Sequence, residues 1–201
     1  RSSLGGFPDN RRVAFGAKTA NGDRLHILDG DRRKIVRSIA PAGMSAIYEL
    51  DVAPDGRSLV FAGQQGMRCD LFLMDLESEN LTRITNDLYN DLQPRFTPDG
   101  QSVVFASERS RDPETKRRGL FANLNRDIFS LNLADGELTQ HTFEKKDCSF
   151  PQVDAKGQNL YYINSDGGVS NIFALDLKGG GRAKVTSVLS GVYSADLSPD
   201  S

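Results

Sequence analysis

The chain is predicted to be all-β, a propeller of four-stranded antiparallel blades, on three observations. A Pro-Asp-Gly-like turn recurs at a near-constant interval, each turn is flanked by runs with strand period, and no segment sustains a 3.6-residue period. Four stretches align around the turn: Phe7-Pro8-Asp9-Asn10-Arg11-Arg12-Val13-Ala14-Phe15, Ala53-Pro54-Asp55-Gly56-Arg57-Ser58-Leu59-Val60-Phe61, Thr97-Pro98-Asp99-Gly100-Gln101-Ser102-Val103-Val104-Phe105 and Asp154-Ala155-Lys156-Gly157-Gln158-Asn159-Leu160-Tyr161-Tyr162. A fifth begins at Ser198-Pro199-Asp200-Ser201. The spacings between Asp9, Asp55, Asp99, Lys156 and Asp200 are 46, 44, 57 and 44, so one copy carries an insertion.

In each unit the inner strand precedes the turn and the second follows it, as Leu50 and Val52 and then Leu59 and Phe61 do. Proline presets the first corner, aspartate bonds back to the backbone and glycine accepts positive φ. Third strands are predicted at Leu71–Leu76, Ile128–Leu133 and Ile172–Leu177, with a weaker copy at Leu25–Asp29. Fourth strands are predicted at Leu81–Thr85, Leu138–Thr142 and Lys184–Thr186. The repeat units run approximately over 1–46, 47–90, 91–146, 147–190 and, in part, 191–201. That is about four full blades plus the inner strand Tyr193–Ser198 of a fifth.

Composition sets the outer limits. The 201 residues are enough to bury a core, and 38% are apolar; counting the 19 glycines and setting the tyrosines aside gives the roughly 45% of globular domains. Lys plus Arg (25) nearly cancel Asp plus Glu (27), so no global field draws the chain to nucleic acid or to anionic lipid. No apolar run approaches the ~18–20 residues of a membrane-spanning helix, and Arg1-Ser2-Ser3 does not open a signal peptide.

The string Gln93-Pro94-Arg95-Phe96-Thr97-Pro98-Asp99-Gly100-Gln101-Ser102-Val103-Val104-Phe105-Ala106-Ser107, followed by Asp127–Leu133 and Leu138-Thr139, resembles the repeat of TolB-type β-propellers over essentially the whole chain. Phe96 stands where that family often has Trp, Asn10 replaces Gly, and Ala155-Lys156 replaces Pro-Asp; the last two suggest altered turns. The resemblance implies a ring of six blades, hence a piece of a longer protein, since an unclosed ring leaves apolar blade faces uncovered. It also implies a periplasmic or envelope-associated protein in a system that contacts a peptidoglycan-associated lipoprotein. The family's contact residues do not carry over, because only the repeat matches.

Few residues suggest chemistry. Gly16-Ala17-Lys18-Thr19 lacks the spacing of a phosphate loop and reads as a turn after a strand. No Gly-x-Ser-x-Gly is present, and His26 and His141, each expected inside a strand, offer no serine–histidine pair. Cys69 and Cys148 fall in non-adjacent blades and are expected to be free thiols. Asn80-Leu81-Thr82 is a glycosylation triplet that matters only in a secretory eukaryotic chain. No catalytic residue, metal ligand or cofactor is assigned.

The expected binding residues sit where an outer strand passes to the next inner strand, around the mouth of the central channel: Tyr48, Glu49, Tyr89, Asp91, Gln93, Phe150 and Tyr193. Loops on a rigid scaffold carry binding residues, and amphipathic aromatics make good anchors. The tyrosines can equally pack between blades. Asn86–Asp91 can be a hard-cation loop or a plain polar one, without calcium-loop spacing. The insertion Glu108–Gly119, with five basic and two acidic residues from Arg109 to Arg118, reads as a solvated hairpin or a contact for an acidic partner.

Two functions follow. The first is a non-enzymatic module of a bacterial envelope protein that binds protein partners through its face loops, without nucleic acid and without membrane insertion. The second is the non-catalytic propeller of a larger peptidase or serine hydrolase, whose partner is another domain of the same parent chain. A channel that takes a small ligand or sugar is a third option.

Overall fold

The computed structural model describes residues 4–109 and 125–198. These form sixteen strands in four antiparallel sheets and no helix. The first sheet holds β1 (Leu4–Gly6), β2 (Arg12–Thr19), β3 (Gly22–Asp29) and β4 (Lys34–Ile39). The second holds β5 (Ala46–Val52), β6 (Ser58–Gln65), β7 (Arg68–Asp75) and β8 (Leu81–Arg83). The third holds β9 (Asp91–Phe96), β10 (Ser102–Ser107), β11 (Asp127–Asn132) and β12 (Leu138–Gln140). The fourth holds β13 (Cys148–Val153), β14 (Asn159–Asn164), β15 (Asn171–Asp176) and β16 (Arg182–Lys184). Within every sheet the strands lie in chain order, so each is one blade.

Alternation along the strands decides how the blades stack. On β6, Phe61 points back into a core with Ala14, Leu25 and Ile27 of the first blade. Its neighbours Val60 and Ala62 point forward into a second core with Phe105 and Phe129. On β10 the pattern repeats: Val104 and Ala106 face forward, against Leu160, Tyr162 and Phe173 of the fourth blade. Each blade thus presents aromatics backward and small residues forward, which interdigitates the layers and leaves no blade with a core of its own. The aromatics come as cross-strand pairs at one register: Phe61–Phe72 with centroids 5.6 Å apart, Phe105–Phe129 at 6.2 Å and Tyr162–Phe173 at 6.0 Å. His26 takes that seat beside Phe15 at 5.3 Å.

The four turns are one structure. Gly56, Gly100 and Gly157 have φ of 69°, 69° and 66°, and Asn10 has 52°. In each, that residue's N–H donates to the carbonyl three residues back, as Asn10 does to Phe7 and Gly157 to Asp154. The expectation of altered turns is therefore corrected. Asparagine tolerates positive φ. In the fourth turn Asp154 accepts from the amides of Gln158 and Asn159, as Asp55 does from Arg57.

Residues 191–198, which include the predicted inner strand Tyr193–Ser198, pair with no strand among the described residues and are held against the fourth blade by Gln152. His141 lies just beyond β12 and not inside a strand, although its N–H still donates to the Ile128 carbonyl.

Candidate functional site

The inner strands β1, β5, β9 and β13 have one edge without a strand neighbour, and an edge amide needs an acceptor. A side chain from the preceding blade supplies one at each seam. The Ile47 N–H donates to Asp23 Oδ2 at 2.9 Å, the Phe96 N–H to Asp51 Oδ2 at 2.9 Å and the Phe150 N–H to Gln93 Oε1 at 2.8 Å. The Leu197 N–H donates to Gln152 Oε1 at 2.5 Å. Gln152 Nε2 also donates to the Ala195 carbonyl and to Asp196 Oδ1, which fixes the 191–198 stretch against the fourth blade.

Asp51, Arg95, Gln152 and Asp196 each stand three residues before the first turn residue of their unit, namely Pro54, Pro98, Ala155 and Pro199. They line a cavity of about 650 Å³ together with Phe7, Phe96 and Leu197. Arg95 reaches back to the Leu50 carbonyl at 3.3 Å and to Asp51 Oδ1 at 3.5 Å. Burial raises the Asp51 pKa and the nearby Asp196 charge adds to the rise, against Arg95 and the Phe96 amide. Sequence reasoning missed this set, though a polar residue recurring three positions before four of the turns was a signal for it.

The cavity lies at the turn end of the inner strands, whereas the seven predicted residues belong to their opposite end, where a hydrogen bond joins two of them, Gln93 and Phe150. Asp91 is fully buried, with Oδ2 2.5 Å from Arg109 Nη2. Burial pushes its pKa up to about 6 against the pull of Arg109 and the hydroxyls of Ser107 and Thr85. It cannot serve as an exposed contact, which corrects its place in the ring. Gln93, at φ 56°, is committed to the seam with Phe150, at φ 52°. Tyr48 donates its hydroxyl to Gln64 Oε1 at 2.8 Å and packs on the core between the second and third blades. Glu49 is half-buried, with a buried Oε2 that has no hydrogen-bond partner. Tyr89 is half-buried beside Asp87, which accepts its backbone N–H. Tyr193 alone stands open, 74% exposed.

Other side chains do project at that end. Met67 is 97% exposed in the β6–β7 turn; Leu88 (55%), Phe143 (74%) and Leu189 (98%) occupy the loops that follow β8, β12 and β16. With Tyr193 they put five large apolar groups on one face. Isolated exposed apolar residues are ordinary, but several gathered on one face mark a contact surface. Residues 110–119, most of the insertion, lie outside the described residues. Its described residue Arg109 is not solvated as expected: the guanidinium sits 5.3 Å from the Phe105 ring and 5.7 Å from Phe129, paired also with Asp87 at 2.9 Å.

The reactive residue types are locked into structure. Cys69 and Cys148 are free and buried, and burial lifts both thiols to about 12. His141 Nε2 does meet Ser130 Oγ at 2.8 Å, a serine–histidine contact that the sequence reading excluded. Burial lowers the histidine pKa, and among the described residues no carboxylate bonds to its other ring nitrogen. Among the described residues no three His, Cys, Asp or Glu side chains converge as metal ligands.

The family described as TolB beta propeller domain matches residues 7–201. A Tol-Pal system protein TolB from Francisella tularensis is 27% identical over 125 residues, 61% of this chain and 26% of the relative. A dipeptidyl-peptidase 5 from Porphyromonas gingivalis is 26% identical over 155 residues, 71% of this chain and 21% of the relative. The solved TolB of Acinetobacter baumannii superimposes with a TM-score of 0.71 at 20% identity, covering 92% of this chain and 43% of that one. The chain thus spans about a quarter of the length of these curated relatives.

Proposed function

The chain belongs to the TolB beta propeller domain family, and from that membership we propose that it is a non-catalytic protein-interaction module of a bacterial envelope protein, working in the periplasm. The partner is a protein, seated on the face where the inner strands begin. The observation that carries this reading is the exposed apolar set Met67, Leu88, Phe143, Leu189 and Tyr193 on a scaffold whose seams are each closed by a hydrogen bond. A rigid array of anchors limits the ordering cost of association. Of the residues expected from sequence, Tyr193 and Tyr89 stay in this proposal as contacts; Tyr48, Glu49, Gln93 and Phe150 support the face from beneath.

The test uses purified peptidoglycan-associated lipoprotein, the partner implied by the Tol-Pal relatives. Phe143→Asp with Leu189→Asp should leave the melting curve in place and weaken binding by about a hundredfold, two anchors lost at roughly 1–2 kcal/mol each. Undiminished binding by that variant rejects the face.

The peptidase relative supports a second reading, in which the propeller serves a catalytic domain of the same parent protein. A Gly-x-Ser-x-Gly hydrolase domain in the parent gene, together with failure to bind the lipoprotein, would favour it.

A further inference from the structure

Charge is unevenly shared among the blades. Residues 1–46 hold nine Lys and Arg against four Asp and Glu, while the rest of the chain holds sixteen against twenty-three. Much of the first blade's excess lies on its outer rim. Arg32, Arg33 and Lys34 are exposed at the β3–β4 turn, and Arg24 lies across from β4, bonded to Ser38. Of the nearby acids, Asp29 is buried and taken up by Arg11 and Arg32, and Asp31 by Arg11.

The same rim carries an open sheet edge. β4 is six residues long and bonded only to β3, whereas the outer strands β8, β12 and β16 have three residues each. Short edges resist pairing, and a long one invites it. Ile35 is 45% exposed and Val36 44%, side by side at a bulge opposite Ile27 and Leu28. Arg37 ties the strand to Glu79 of the second blade at 2.8 Å, so the edge is held in place.

We propose that β4 is a docking edge for an extended acidic segment of a partner protein, one that adds a strand to the first blade with its carboxylates against Arg33 and Lys34 and its apolar residues on Ile35 and Val36. Main-chain bonds would give affinity, and the charges would give selection. The positive charge also discriminates among occupants. Two copies joined edge to edge would bring two basic rims carrying Arg33 and Lys34 onto one sheet, whereas an acidic strand brings opposite charge. This edge lies on the outer rim, so it stands or falls separately from the loop face.

The experiment uses the full chain and a fluorescent peptide of alternating Glu and Val, with two controls: the same composition interrupted by prolines, and a Lys-Val version. Expected are binding of the Glu-Val peptide alone, weakening with salt, and slowed amide exchange across residues 34–39. Arg33→Glu with Lys34→Glu should lower affinity about tenfold or more with an unchanged melting curve. Should that variant unfold, Lys34→Gln and Ile35→Ser must each weaken binding. Equal binding of the proline-interrupted peptide, unprotected β4 amides, affinity indifferent to the substitutions, or dimerisation through β4 in place of peptide binding overturns the proposal.

Discussion

Asp91 and Arg109 meet at 2.5 Å in a site where the carboxylate is fully buried, and the Arg109 guanidinium lies over the rings of Phe105 and Phe129. The aspartate begins β9 and the arginine follows β10, so the pair closes the third blade at its loop end. Burial outweighs the attraction: the Asp91 pKa stands at about 6.

A pH dependence follows from that value. Unfolded, the carboxyl releases its proton near 3.9; folded, it keeps it up to about 6. Between those values the native state binds more protons, so this group's contribution to stability falls as pH rises through the window and is level above it. Asp91→Asn removes the titration and leaves Arg109 with Asp87. Urea unfolding at about pH 4.5 and 7.5 should show the wild type losing about 2 kcal/mol relative to Asp91→Asn on going to the higher pH. A difference that does not move with pH would place the charge elsewhere.

The turn glycines separate backbone strain from contact between blades. At Gly56 an added Cβ would meet Pro8 Cγ at 3.2 Å, while at Gly157, with nearly the same φ, nothing lies within 4 Å. Gly157→Ala should cost about 1 kcal/mol for the left-handed backbone alone. Gly56→Ala should cost about 2 kcal/mol, because Pro8 must also shift. Equal losses in denaturant titrations would mean that the first seam yields freely.

The turn spacing made the blades legible, since one repeated chemical pattern encodes one repeated local geometry. The seating of the inner strands was not legible in the same way. Three of the four inner strands, β5, β9 and β13, have a register shift, between Ile47 and Leu50, Leu92 and Arg95, and Ser149 and Gln152. A bulge puts two residues opposite one, so strict alternation no longer tells which side a side chain takes. Gln93, at the bulge, therefore turns into the seam, where an unbroken alternation would leave it open to the mouth. Arg109 reads as one charge in a basic run, and only the proximity of Phe105, Phe129 and Asp91 in space explains its burial.

Gln93 should behave as a bond across the seam and not as a binding contact. Its Oε1 is the acceptor for the Phe150 N–H, in a strand stretch where Phe150 already sits at φ 52°. Gln93→Met keeps length and backbone strain but leaves that amide without its partner, an expected loss of about 1–2 kcal/mol. Gln93→Glu retains an acceptor and should restore most of it at neutral pH. Amide exchange at Phe150 gives the local readout: faster in the Met variant, near wild type in the Glu variant.

The thiols provide a test of the blade interfaces as a whole. Cys69 faces the core between the second and third blades, and Cys148 the core between the third and fourth. With both pKa values lifted to about 12, the thiolate needed for reaction is scarce at neutral pH, and burial blocks the reagent besides. Modification by an aromatic disulfide reagent should therefore proceed only through opening of a seam. The two rates should then fall into step with the exchange of amides in the flanking strands and rise together in urea. Blades that open independently would instead release one cysteine well before the other, and immediate reaction of either in the native chain would contradict the packing at that interface.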